Sequence, residues 1–156
     1  MSVQVAKGDF SSLEQSIRSE VEGDVYFDPF TRGRYATDAS IYQINPVGIV
    51  VPKSIQDVKT AISLTSEEGF SLLPRGGGTS QCGQTVNSSV VIDTSKYLNS
   101  LIDLNVEELT VTVEPGIVLD QLNNFLKPFG VWFPVDISTS AQATIGGMVG
   151  NNSCGA

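Results

Sequence analysis

Residues 74–85 read Pro74-Arg75-Gly76-Gly77-Gly78-Thr79-Ser80-Gln81-Cys82-Gly83-Gln84-Thr85. The short segment Phe70-Ser71-Leu72-Leu73 leads straight into it, so the glycines stand at the end of a strand. Three successive glycines admit positive φ and put no Cβ in the way of an approaching group. Backbone N–H groups in such a run can converge on an anion as a nest. Thr79 and Ser80 add hydroxyl donors, and Arg75 adds positive charge. The chemistry suits a phosphate or pyrophosphate; composition alone equally allows a flexible turn between two lobes. Two standard phosphate motifs fail here. Gly78 to Thr85 spells G-x-x-x-x-G-Q-T, with Gln84 where a Walker A loop needs Lys, and a strand follows instead of a helix. A Rossmann G-x-G-x-x-G needs glycine at position 81, which is Gln81. What remains is a loop that binds through backbone amides without a helix dipole.

A second cluster lies further on: Ala143-Thr144-Ile145-Gly146-Gly147-Met148-Val149-Gly150-Asn151-Asn152-Ser153-Cys154-Gly155. Gly146, Gly147 and Gly150 again permit close backbone approach, and Asn151 and Asn152 can donate and accept at the edge of a heterocycle or diphosphate. Alone it reads as a tight loop within the fold or as a ligand clamp. Two such clusters in one domain suit a ligand with a diphosphate and a flat ring system, as in a dinucleotide.

The surrounding elements are read from periodicity. Ser11 with Glu14 reads as a capping box ahead of Leu13, Ile17 and Val21, with Gly23 stopping the helix. Residues 24–45 mix aromatics and charges without period and read as an irregular arm on the surface of a larger body. Gly48-Ile49-Val50-Val51 is a buried strand. Ser54 and Asp57 cap a helix whose expected inner face is Ile55, Val58, Ala61, Ile62 and Thr65, closed by Gly69. With residues 70–73 this makes a right-handed βαβ unit. Val90-Val91-Ile92 is a further strand, and residues 98–104 and 109–113 form a hairpin. A helix is expected over 118–127, a strand over Val131-Trp132-Phe133, and a loop-like tail from Pro134. The sum is α+β: an N-terminal helix and arm over 1–45, a small parallel lobe over about 46–75, and a mixed or antiparallel lobe over about 88–156.

Composition narrows the function. The 156 residues carry nine Lys and Arg against 17 Asp and Glu, a net charge of −8, which argues against nucleic acid and against a polybasic membrane anchor. There is no histidine, so no Ser–His–Asp triad and no His-ligated zinc site; no metal site is expected. Cys82 and Cys154 read as small buried residues. No apolar run is long enough to span a membrane, and residues 1–9 lack the form of a signal peptide, so the expected compartment is the cytoplasm. The N-x-S sequons at Asn87 and Asn151 read as chance.

Taken together, Pro74 to Ser80, Gly83-Gln84, Thr112-Val113-Glu114-Pro115-Gly116, Phe133-Pro134, Thr144-Ile145-Gly146-Gly147-Met148 and Gly150-Asn151-Asn152 resemble the FAD-binding domain of the vanillyl-alcohol-oxidase type, the PCMH fold. The match runs over about residues 30–156 and is similar to the glycolate oxidase subunit and the D-lactate and D-2-hydroxyglutarate dehydrogenases. The upstream Asp28-Pro29-Phe30-Thr31-Arg32-Gly33-Arg34-Tyr35 resembles the long members that carry a C-terminal iron–sulfur region. The resemblance implies that Arg75, Gly76, Gly77, Gly78, Thr79 and Ser80 hold the FAD pyrophosphate, with Gly83 and Gln84 close to the flavin. It implies a second clamp through Thr144, Gly146, Gly147, Gly150, Asn151 and Asn152, and places Pro134 and Asp136 along the cofactor. FAD is expected to be non-covalent, since covalent linkage through histidine is impossible and neither cysteine matches the family's attachment site.

The chain stops inside the second clamp, so it is expected to be truncated, with the cap domain, the catalytic residues and any iron–sulfur cluster outside it. A truncated edge would leave an apolar face uncovered, which invites self-association. The parent activity implied is oxidation of a small D-2-hydroxy acid (lactate, glycolate or 2-hydroxyglutarate class) by hydride transfer to flavin, with electrons passed to an acceptor. The alternatives are a non-catalytic flavin- or nucleotide-binding module and an NADPH-dependent reductase of the same fold.

Overall fold

The computed structural model describes residues 10–155, so the first nine residues of the expected N-terminal arm lie outside the described part. The described chain forms two compact units, the first running through Pro74 with Ser80–Ile92, the second comprising Arg75–Thr79 and the chain from Asp93 onward.

The first unit is built on a four-stranded sheet of β1 (Asp24–Tyr26), β2 (Gly48–Val51), β3 (Leu72–Arg75) and β4 (Val90–Asp93), in the order β1-β2-β4-β3. β1 is antiparallel to β2, and β2 is parallel to β4. The expected βαβ unit is therefore modified: β2 and β3 are not neighbours, because β4 lies between them. The reason is burial. All four residues of β4 are buried, as suits a central strand, whereas β3 carries Pro74 and is only partly covered, as suits an edge.

Helices α1 (Ser11–Glu20) and α3 (Ile55–Glu67) pack together in this unit. Leu13, Ile17 and Val21 join Val25, Phe27, Val50, Ala61, Val90 and Ile92 in one core. Residues 10–27 thus contribute to that core, while residues 28–45 lie largely at the surface, with Ala36 alone buried among them. The capping box does not form, since Phe10 is the N-cap with no side-chain bond and Ser11 is already helical. The segment read as irregular also contains α2 (Pro29–Arg34), whose N-cap Asp28 accepts Thr31 N–H at 2.8 Å.

In α3 the buried positions are Asp57, Ala61 and Thr65, with Leu64 packed beside them, while Ile55 and Ile62 are exposed. Ala61 and Thr65 are inside as expected, and Asp57 takes the place inside that Ile55 and Ile62 were expected to fill. Asp57 is tolerated because its carboxylate is saturated. Oδ1 accepts Glu22 N–H at 3.1 Å and Oδ2 accepts Lys53 N–H at 2.8 Å, while its own N–H donates to the cap residue Ser54 at 3.0 Å.

The second unit holds the hairpin β5 (Leu101–Asn105) and β6 (Thr110–Val113), paired antiparallel with an irregularity between Leu101 and Asp103. In β6 Thr110 and Thr112 face out and Val111 and Val113 face in, as alternation requires. Both valines pack on Ile117, Leu122 and Leu126, the last two on α4 (Leu119–Leu126). Residues 131–133 form no strand: the N–H of Phe133 donates to Asn123 Oδ1 at 2.8 Å instead of to a ladder. The tail is not all loop either, for α5 (Ile145–Gly150) forms within the second glycine cluster. The lobe boundaries move accordingly, with Val90–Ile92 in the first unit and Arg75–Thr79 in the second. No helix among the described residues is long and apolar enough to cross a membrane.

Replacing Asp57 by Ala leaves two partly buried N–H groups without an acceptor. The expected cost is about 2 kcal/mol or more, from a penalty of roughly 1–3 kcal/mol per orphaned buried group. Urea denaturation measures it, and a loss below about 0.5 kcal/mol, the ordinary scatter of surface substitutions, would show that these bonds are replaced by water.

Candidate functional site

Loop 75–79 leaves β3 and belongs to the second unit, where it meets the second glycine cluster. A Cβ on Gly76 would fall on the side chain of Thr144, landing on Oγ1 and 3.2 Å from its Cβ. A Cβ on Gly77 would fall on the carbonyl of Gln142, 3.1 Å from its carbon. The two clusters therefore touch, and only backbone bare of side chains lets them. On the far side of α5, a Cβ on Gly146 would lie 2.7 Å from Pro115 Cβ and 2.9 Å from its carbonyl oxygen. Gly78 has φ +66°, and Arg75 folds back over it, with Nη2 2.6 Å from where a Cβ would stand. Thr94 N–H donates to Arg75 C=O at 3.2 Å and anchors the start of the loop.

The amides of the two clusters are used differently. In α5, Ile145 N–H donates to Ile117 C=O at 2.9 Å and Gly146 N–H to Pro115 C=O at 2.8 Å. Gly147 N–H donates to Thr144 Oγ1 at 3.2 Å, and Met148 N–H to Thr144 C=O at 2.9 Å. The four leading amides of α5 are thus consumed within the protein. In loop 75–79 the N–H groups of Gly76, Gly77, Gly78 and Thr79 donate to no group among the described residues. Four successive backbone donors without a partner among the described residues thus lie in the first cluster, whereas the leading amides of α5 are used within the protein.

Other candidate residues share the second unit. Pro134 and Asp136 are exposed on an extended segment whose Phe133, Val135 and Ile137 pack against Leu119, Ala143 and Met148. Gly150, Asn151 and Asn152 end α5 at the surface, with Asn152 at φ +50° and Asn151 Nδ2 donating to Ser153 Oγ at 3.3 Å. Phe133, Ile145, Met148, Val149, Asn152 and Ser153 line a groove of about 250 Å³. Gln142 is a contact partner that the sequence reading did not single out: it meets Gly77 through its backbone carbonyl, which every residue has, so no residue type marks it.

Ser80, Gly83 and Gln84 lie in the first unit. Ser80 Oγ bonds Gln84 Oε1 and accepts the N–H groups of Cys82 at 3.2 Å and Gln84 at 3.3 Å, which folds this stretch into a tight turn. Gly83 has φ +77°, and a Cβ there would lie 2.6 Å from the Tyr42 ring. Thr85 Oγ1 donates to Asp38 Oδ2 at 3.0 Å, and Ser40 N–H donates to Asp38 Oδ1 at 2.8 Å. Partial burial alone would raise the Asp38 carboxyl, but the bonds from Ser40 and Thr85 outweigh it and hold the pKa below the ordinary value. Cys82 and Cys154 are both exposed, against expectation, because the glycine-rich turns carrying them run over the surface.

A family model described as FAD binding domain matches residues 46–156. The chain belongs to that family. It is 40% identical over 156 residues to the D-2-hydroxyglutarate dehydrogenase of Escherichia coli (strain K12), covering 98% of this chain and 15% of the relative. It is 31% identical over 140 residues to the glycolate oxidase subunit GlcD of Bacillus subtilis (strain 168), covering 87% of this chain and 30% of the relative. Among solved structures, an alkyldihydroxyacetonephosphate synthase superposes with a TM-score of 0.84 at 21% identity, over 95% of this chain and 33% of that one. The fold is the PCMH type expected from the sequence motifs. The chain spans 13–15% of the length of the first several curated relatives it matches.

Two predictions follow from this geometry. Gly77→Ala drives a Cβ into a backbone carbonyl that cannot rotate away, so the loop must move, and FAD affinity is expected to fall by about tenfold or more, the effect of losing a single good contact of roughly 1.4 kcal/mol. Gly150→Ala meets no atom within 4 Å and sits at a helix end. It is expected to raise the melting temperature, by the roughly 0.5–1 kcal/mol by which alanine exceeds glycine in a helix. Fluorescence titration with FAD and thermal melting test the pair; equal behaviour of the two variants would contradict the packing described. The second prediction concerns acid. A folded pKa below the unfolded value of about 3.9 means that Asp38 contributes stability fully above that pH, lost as pH falls through the folded pKa. Asp38→Asn is therefore expected to lower stability near neutrality and to flatten its acid limb. Melting curves across that range check it, and an unchanged acid limb would show that Asp38 is not linked to folding.

Proposed function

We propose that this chain is the FAD-holding part of a flavin-dependent oxidoreductase that oxidises a D-2-hydroxy acid, with D-2-hydroxyglutarate the leading substrate. The observation that carries the reading is 40% identity over 98% of the chain to a D-2-hydroxyglutarate dehydrogenase. The site's own chemistry fits the cofactor. Four successive N–H groups without an acceptor among the described residues, from Gly76 to Thr79, and the positive charge of Arg75 match the needs of a diphosphate. Flavin, when bound, supplies the two-electron acceptor chemistry, and the protein supplies binding and orientation.

In this reading, Arg75, Gly76, Gly77, Gly78, Thr79 and Ser80 hold the pyrophosphate, and Gly83 and Gln84 are assigned to the flavin. The cluster from Thr144 to Asn152 shapes the neighbouring wall, with Pro134 and Asp136 on the exposed side of the adjoining segment. Binding is non-covalent, in a chain without histidine. The chain spans 15% of the dehydrogenase it matches, and in this reading substrate recognition, the proton-accepting group and the contact with the electron acceptor lie in the rest of such a protein. By itself the segment then acts as a flavin-binding module.

The test has two stages. The chain is mixed with FAD and desalted, and the visible flavin band is expected to stay with the protein. A protein of the relatives' length carrying this segment is then mixed with D-2-hydroxyglutarate, D-lactate, glycolate or NADPH without air. Bleaching by a hydroxy acid is expected. Bleaching by NADPH alone would replace the dehydrogenase reading with a reductase, and absence of flavin from both proteins would sink the proposal.

A further inference from the structure

Thr144 occupies an unusual place. It is 1% exposed, at the N-cap of α5 and in an isolated antiparallel bridge with Val118. Its Oγ1 accepts Gly147 N–H at 3.2 Å, and the same oxygen stands where a Gly76 Cβ would be. Its Cγ2 would lie 3.3 Å from that Cβ. One side chain thus both closes the start of α5 and forms the wall on which loop 75–79 rests. At 1% exposure it is not placed to touch a ligand.

We propose that Thr144 is a positioning residue of the site: by capping α5 it fixes the wall that holds the Gly76–Thr79 backbone in place. This rests on the FAD reading above. The mechanism is steric and cooperative. Capping locks the Thr144 rotamer, and the locked rotamer leaves Gly76 one position. Without the hydroxyl, α5 loses a cap and the wall recedes, so the loop gains freedom that a ligand must remove again on binding.

The test compares the full chain with Thr144→Ala and Thr144→Ser, using two readouts. The first is the backbone NMR order parameter of Gly76 to Thr79 without FAD; the second is the FAD dissociation constant. In the parent and in Thr144→Ser the loop is expected to be ordered, near the roughly 0.85 of rigid backbone, and in Thr144→Ala to fall toward about 0.6. FAD is expected to bind Thr144→Ala about fivefold or more weakly, the equivalent of one lost helix cap, and Thr144→Ser within about twofold of the parent. Should the alanine variant fail to fold, Thr144→Val keeps the volume without the hydroxyl and carries the same readouts. An equally ordered loop in the hydroxyl-less variant, or FAD affinity equal to the parent's, would overturn the positioning role while leaving the FAD reading intact. Loss of loop order without the hydroxyl in a parent that never binds FAD would uphold the positioning and overturn the FAD reading.

Discussion

Everything distinctive in the second unit depends on one contact, the approach of the Gly76–Gly77 backbone to Gln142 and Thr144. Proteins seldom bring backbone so close to a neighbour, since a Cβ normally stands in the way. Here the missing side chains let a loop leaving a strand lie against the entry to a short helix. That contact decides which polar groups remain for chemistry. The amides of α5 are spent on Ile117, Pro115 and Thr144, which hold the helix in place. Gly76 to Thr79 have no such partners among the described residues.

The division has a cost and a compensation. α5 is six residues long and contains three glycines, each worth roughly 1 kcal/mol less than alanine in a helix interior. Such a segment would not be helical alone. It is held by the Thr144 cap, by the bonds to Ile117 and Pro115, and by Met148 and Ile145 packing into apolar clusters. One of these glycines, Gly146, is what lets Pro115 approach the helix, so propensity is given up for proximity there.

How much of this was legible follows from where the information sits. Strand alternation in residues 110–113, the Ser54 cap and the apolar run of β4 were readable because side-chain type and spacing determine them. The inner face of α3 was read correctly at Ala61 and Thr65 and missed at Asp57, because only the Glu22 and Lys53 amides, far from Asp57 along the chain or across a turn, explain why a carboxylate can lie inside. α2 had a signal, Asp28 followed by Pro29 at the first helical position, which marks a helix start. α5 had almost none: a Thr before a glycine-rich stretch reads as loop until Pro115 and Ile117 are brought beside it. The bare backbone of the first glycine cluster was legible because it is local to the sequence. The packing of the second was not, because the amides of Ile145 and Gly146 go to partners about thirty residues earlier in the chain.

The charge balance completes the logic of a site made from backbone. A chain with nine basic and 17 acidic side chains repels a diphosphate at long range. At physiological ionic strength that field is screened over about 8 Å, so it costs association rate more than it costs a group already seated in the loop. At the loop itself the deciding terms are short-ranged. Charge-assisted hydrogen bonds from unpaired amides are roughly twice as strong as neutral ones, and a preformed loop gives up little conformational freedom to make them. Lysines could supply attraction on flexible stems, but only at the price of ordering them. A glycine loop pinned by its neighbour presents its donors already aligned, and this is why rigidity at Thr144, which touches no ligand in this arrangement, bears on how well the loop can bind one.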